Sequence, residues 1–298
     1  MARHPSKAWR TQFTPWRAAG TKTEGGGTVD DVVRETGWVF NNETGKSLTL
    51  ADFVRTGDVE VRRFMKHFGL STERLAGSTL LEIGSGIGRM TAAFTNICAR
   101  VVATDVDAAF LERCHQTVSL HGRVQRLATV HVADGRNLGV ATDSVDLVFS
   151  YIVLQHCQHD DALALTSEAI RVTRNSGLLM LNFRTWVLSD VALVPLGALV
   201  RTMWRLPVVG KPLSTKRWAT RFGWQANRLS PDDVLEYLEH CGDLEKLTAI
   251  RVLHSHRSQR SVQRPGVDVG ILKRTNRSHW WLIAEVRSEE HTSELQSH

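Results

Sequence analysis

The chain has 298 residues with a formal net charge of +6, of which 42% are hydrophobic and 23% charged. That is enough chain for one large or two small domains with a real core, which excludes a disulfide-stapled miniprotein and a wholly disordered polymer. The four cysteines, Cys98, Cys114, Cys157 and Cys241, are far apart and form no C-x-x-C pair, so neither a disulfide framework nor a structural metal is expected, and a reducing, cytoplasmic setting is.

The first twenty residues are basic but lack the apolar run of a secretory signal, and no stretch reaches the roughly eighteen apolar residues of a membrane span. Residues 1–47 read as a polar, flexible arm, followed by an ordered region at 48–286. Thr56-Gly57-Asp58 reads as the cap of an amphipathic helix carrying Val59, Val61, Phe64, Met65 and Phe68. Strands and helices then alternate over a core at 59–184. TLLEI (79–83), VVAT (101–104), ATVHVA (128–133), DLVFSYI (146–152) and GLLMLNF (177–183) read as strands, and 89–97, 108–120 and 160–173 as helices. Strands that are apolar throughout are covered on both faces, so the fold class expected is α/β, doubly wound around a mostly parallel sheet.

The pattern breaks after Phe183. The insert at 186–228 holds four of the nine tryptophans and seven Lys or Arg against the single acid Asp190. Its apolar stretch 187–210 suits a lid that also meets an anionic or lipid-like surface. The simpler expectation is a structural cap whose apolar face is core and whose arginines are solvated. From 229 to 286 the sheet resumes, with Ser230-Pro231-Asp232-Asp233 starting a helix and 247–255 and 279–286 forming a closing strand pair. The last twelve residues, 287–298, resemble a translated sequencing adapter, so a non-native tail is expected there. Without them the formal charge rises to about +8, since Arg287 stands there against three glutamates.

Function is carried by Glu82-Ile83-Gly84-Ser85-Gly86-Ile87-Gly88-Arg89, between the first strand and a helix. Glycines at such a turn let backbone approach a ligand, and the helix start favours an anionic or polar group, so a nucleotide-like cofactor is implied. The dinucleotide fingerprint requires glycine at position 89, where arginine stands, which disfavours nicotinamide and flavin. Asp105 ends the second strand, where a carboxylate accepts ribose hydroxyls, and Asp134 follows the third.

With these residues in view, the chain resembles the class I S-adenosylmethionine-dependent methyltransferases. LLEIGSGIGRMT is similar to their first motif and DSVDLVFSYIVLQH (143–156) to their fourth-strand motif. The resemblance covers about 50–184 well and 225–286 loosely, and implies a seven-stranded Rossmann-like sheet with an antiparallel last strand. It implies S-adenosylmethionine as cofactor, with Gly84, Ser85, Gly86 and Gly88 forming the loop under its methionine part. Glu82 then meets the amino group, Asp105 and Val106 the ribose, and Asp134 with Gly135 the adenine, while Ser150, Tyr151 and Gln155 border the methyl group. His156 is the candidate base, with a loop-capping role as the alternative.

The acceptor expected is oxygen or nitrogen of a small or lipid-like molecule. The basic charge also raises nucleic acid as a partner, but the fourth-strand exit Ser150-Tyr151-Ile152-Val153 lacks the Asn/Asp-Pro-Pro-aromatic turn of the amino-methylating nucleic-acid enzymes, and Cys157 lacks the proline of the cytosine-carbon enzymes. Cys157 reads as a packing residue. RNA methylation is the alternative activity, and a non-catalytic S-adenosylmethionine-binding regulatory protein the alternative class. No metal is expected, and the oligomeric state is left open.

Overall fold

A computed structural model describes residues 49–204, 206, 208–214, 216, 218–219, 222, 227–255, 262–272 and 278–287. The arm expected at 1–47 and all but the first residue of the suspected tail lie outside this set.

The sheet has eight strands: β1 (Thr79–Ile83), β2 (Arg100–Asp105), β3 (Leu127–His131), β4 (Val145–Ser150), β5 (Thr173–Arg184), β6 (Leu247–His254), β7 (Val267–Ile271) and β8 (His279–Val286). Their order is β3-β2-β1-β4-β5-β8-β6-β7. The first five are parallel, and β8 runs antiparallel to both β5 and β6. The sequence therefore placed the reversed strand correctly but was one strand short. The addition is β7, parallel to β6 at the sheet edge. It is short and largely exposed, and its start at a Pro265-Gly266 turn reads as loop.

Helices cover both faces: α1 (Leu50–Phe68), α2 (Thr72–Gly77), α3 (Thr91–Ile97), α4 (Ala108–His121), α5 (His159–Val172), α6 (Asp190–Trp204), α7 (Gly210–Ser214) and α8 (Pro231–His240). One core lies between the sheet and α5 and α8. The other packs α1 and α3 against the opposite face around Phe64, Phe94, Phe149 and Trp281. Every residue of β4 is buried, Asp146 and Ser150 included, as a central strand covered on both faces requires.

The expected cap of α1 is corrected. The helix starts seven residues earlier, where the Thr49 hydroxyl accepts the Asp52 amide, and it runs through Thr56-Gly57-Asp58. Gly57 is tolerated mid-helix despite its cost of about 1 kcal/mol because a Cβ there would stand 2.3 Å from the Arg89 carbonyl oxygen. The helix after the glycine loop begins at Thr91 rather than Arg89. The start of α8 is as expected: Ser230 and Asp233 form a reciprocal capping box with Pro231 in the first turn.

Beyond β5 the cap has a small core of its own, Val200, Trp204, Leu213 and Ala219. Along α6 only Asp190, Gly197, Val200 and Trp204 are buried. The expectation of an apolar face buried as core holds for that stripe and fails for the rest of the helix, whose outward side chains, Val191, Leu196 and Leu199 among them, are exposed.

Candidate active site

In an open parallel sheet, ligands bind beyond the carboxyl ends of the strands where the strand order reverses, here between β1 and β4. A cavity of about 170 Å³ lies there, lined by the β1 exit and its glycine loop, the β2 exit and the β4 exit. The loop is built by backbone chemistry. Gly84 and Ser85 both donate their amides to the Thr104 carbonyl, at 2.8 and 2.9 Å, and Gly86 donates to Asp105 Oδ2 at 2.9 Å. At Gly84 φ is +74°, and a Cβ would meet Val153 Cγ2 at 2.4 Å, so the turn requires glycine twice over.

Asp105 Oδ1 accepts the Asp107 amide at 3.0 Å, so each carboxylate oxygen holds one backbone N–H and keeps a lone pair for a further donor. Burial pushes its carboxyl up to about 6, against the pull of those amides. Glu82 is raised further, to about 7, again by burial, opposed by the Thr91 hydroxyl that donates to it at 2.6 Å and by Arg89. Arg89 occupies the place of the missing dinucleotide glycine. It is buried, pairs with Glu60 at 2.7 Å and lies over the Phe53 ring, which ties the loop to α1.

The β4 exit carries strain. Ile152 sits at φ +60°, an outlying conformation for a β-branched residue, and its amide donates to Asn182 Oδ1 at 3.2 Å, while Asn182 in turn donates to the Trp280 carbonyl. Tyr151 stacks on Trp281. His156 lines the cavity with its Nε2 3.1 Å from the Gln155 amide nitrogen; with the amide donating, that ring nitrogen is the acceptor and the ring proton sits on Nδ1. Burial drives the neighbouring Cys157 thiol up to about 12, which suits packing and not nucleophilic attack. Among the described residues no cluster of His, Cys, Asp or Glu is placed to hold a metal ion.

Residues 81–181 match the family model described as a methyltransferase domain. Over that stretch the chain is similar to methyltransferase domains. Over 115 residues it is 33% identical to an uncharacterized methyltransferase of Mycolicibacterium paratuberculosis, a match covering 39% of this chain and 42% of that one. Over 114 residues it is 32% identical to another from Mycobacteroides abscessus, at 38% and 42% coverage. The chain thus spans about two fifths of the length of these relatives. A solved Bacillus halodurans C-125 structure shares the fold at a TM-score of 0.50 and 16% identity, over 77% of this chain and 100% of that one.

Within the matched stretch, the structure brings Glu82, Gly84, Ser85, Gly86, Asp105, Val106, Tyr151 and His156 to one cavity. The other predicted residues stand outside its wall. Gly88 (φ +90°) gives α4 room, since a Cβ would stand 3.1 Å from the Cys114 backbone. Asp134 is exposed in the turn after β3, where its Oδ1 accepts the Arg136 and Asn137 amides, both at 2.9 Å, and Gly135 follows it at φ +72°. Ser150 is buried at the end of β4, and Gln155 is buried behind His156. Sequence reasoning missed Ile152, Val153 and Asn182. Asn182 had a signal, as the one polar residue in the apolar run of β5; the closeness of Val153 to Gly84 had none.

Proposed function

We propose that this chain transfers a methyl group from S-adenosylmethionine to oxygen or nitrogen of a small or lipid-like acceptor. The observation that carries the reading is the Gly84-Ser85-Gly86 turn locked to Asp105 over the switch point of the sheet. The residues fit that cofactor: the turn is stripped of side-chain bulk, Asp105 has acceptor capacity left over, and the Ser85 hydroxyl is buried at the cavity wall with only the Cys114 thiol beside it. Bound there, S-adenosylmethionine supplies an electrophilic methyl carbon on a sulfonium.

In this reading Glu82 and Asp105 hold the amino and ribose groups, and the glycine turn lets the backbone come close. Asp134 and Gly135 provide the adenine end of the site, Val106 packs at the ribose, and the Tyr151-Ile152-Val153 turn faces the reacting centre. The protein's tasks are alignment and exclusion of water. The proton lost by an O–H or N–H acceptor passes to His156, whose Nε2 exchanges the Gln155 amide for the acceptor's proton. The four free thiols support a reducing, cytoplasmic setting.

The test is calorimetric titration of the whole chain with S-adenosylmethionine and S-adenosylhomocysteine, beside Asp105→Ala and Asp105→Asn, each checked for folding by thermal unfolding. Wild-type binding that a folded variant loses supports the reading. A folded wild type that binds neither ligand at about 1 mM, an affinity weaker than about −4 kcal/mol, overturns it. Binding without turnover over a broad acceptor panel leaves a cofactor-sensing protein instead.

A further inference from the structure

A helix that is apolar all round belongs inside something, either a protein core or a membrane. From Val191 to Val200, α6 carries no polar side chain, yet the protein buries only its narrow stripe of Asp190, Gly197, Val200 and Trp204 and half-covers Leu193, Val194 and Met203. Among the described residues, nine of the thirteen large apolar side chains left exposed fall between Trp186 and Trp218. Leu188 is 90% exposed, Val208 85% and Val191 71%. Such a concentration in one segment of the chain marks an interaction surface rather than the ordinary scatter of apolar surface residues.

Two features choose the partner. No Asp or Glu stands between Asp190 and Asp232, while seven Lys or Arg do, and the one acid at the start is buried between Arg184 and Arg228. Exposed tryptophans, Trp186 and Trp218, flank the aliphatic face, the placement such rings take at a lipid headgroup boundary. We infer that the described part of the cap, from Trp186 through α6 and α7 to Trp218, docks on an anionic lipid surface, with α6 lying in the plane of the interface. A second copy of the chain fits less well, because two segments that each carry a net positive charge repel. A nucleic-acid backbone satisfies the cations and leaves the aliphatic face wet. Spanning is excluded by length: fifteen helical residues reach roughly 22 Å against a hydrocarbon core of about 30 Å.

The docked face is mechanically tied to the active site. The Asn227 side chain donates to the Leu154 and Cys157 carbonyls at 2.6 and 2.8 Å, clamping the exit of the cap to the β4 loop that lines the cavity. Docking therefore brings the site to the surface of a bilayer.

The test is flotation of the full chain with vesicles of phosphatidylcholine alone and with about one third phosphatidylglycerol, at low and at physiological salt. It reads docking alone, so it stands or falls separately from methyl transfer. Binding to the anionic vesicles, weakened but not abolished by salt, is expected, with a tenfold or greater drop in partitioning for Leu188→Asp/Leu199→Asp and for Val191→Asp/Val208→Asp. These positions are exposed, so the variants fold; Leu120→Asp, exposed on α4, leaves binding unchanged. No binding at low salt, or binding indifferent to both pairs, overturns the inference. Self-association that the pairs abolish, with no vesicle binding, overturns it in favour of a protein partner.

Discussion

The sheet core and the cap draw on the same aliphatic residues and put them to opposite use. β4 and β8 bury nearly every side chain because helices cover both faces of the sheet. α6 has a single covering layer, so its second face stays outside. Apolar character alone says that a side chain seeks cover; the number of layers stacked on its element decides whether the protein itself supplies that cover. The two regions meet at Asp190, which is fully buried and accepts Arg184 at 2.8 Å, Arg228 at 3.0 Å and the Val187 amide at 2.9 Å.

Removing that junction gives the largest effect expected. Asp190→Ala leaves the Arg184 guanidinium buried without its counter-charge, a loss of about 3–5 kcal/mol. If cap and core are separate in stability as they are in layering, the damage is local: limited proteolysis cuts within 186–228 while the sheet keeps its denaturant midpoint. A midpoint that falls for the whole molecule breaks the comparison and makes the cap part of the core. Next in size is His156→Ala, expected to lower turnover about 100-fold with cofactor affinity unchanged, as for a general base. A loss below tenfold returns His156 to packing beside Gln155.

Gly84→Ala tests why the core tolerates no such freedom as the cap shows. Its positive φ and the clash with Val153 together cost about 2 kcal/mol, read from the unfolding midpoint. Adding Val153→Ala removes the clash and leaves the conformational penalty of about 1 kcal/mol, so the double variant recovers part of the loss. Full recovery means that crowding alone demands the glycine.

What the sequence disclosed follows the same division. Short, mostly apolar runs between helical patterns place β1 to β5, and the glycine turn with Asp105 places the cavity, because local spacing and strand ends fix both. β7 was hidden because an edge strand with one covered face carries little hydrophobic signal. The cap of α1 was misplaced because the demand for Gly57 comes from Arg89, thirty-two residues away, and no local pattern records that contact. The exposed side of α6 was misjudged for a related reason: periodicity shows a face, not its neighbour. The Asn182 contact with Ile152 likewise exists only once β4 and β5 lie side by side.

The smallest effect separates the two regions by pH. In the folded chain burial lifts Glu82 to about 7 and Asp105 to about 6, from ordinary values of 4.5 and 3.8. Both fold with raised affinity for protons, so their contribution to stability is complete below the unfolded values and is lost as pH rises toward about 7. Ligand binding runs the other way. Under the proposed roles of Glu82 and Asp105, a cationic amino group and ribose hydroxyls bind the ionised carboxylates, so cofactor affinity is expected to climb between about pH 5 and 7, by at most about tenfold per pH unit for each proton released. Glu82→Gln removes the upper part of that climb and leaves the part belonging to Asp105, ending near 6. Asp190 has the opposite sign. Burial alone raises its carboxyl, but Arg228, the Val187 amide and Arg184 outweigh burial and hold it below the ordinary value, so its stabilisation is present above that value and fails only in stronger acid. Titration calorimetry and vesicle binding measured at about pH 5 and 7 therefore part company: cofactor affinity drops at the lower pH while the cap stays anchored and docks as before. Parallel loss of both at about pH 5 points to a shared titrating group and joins the two regions after all.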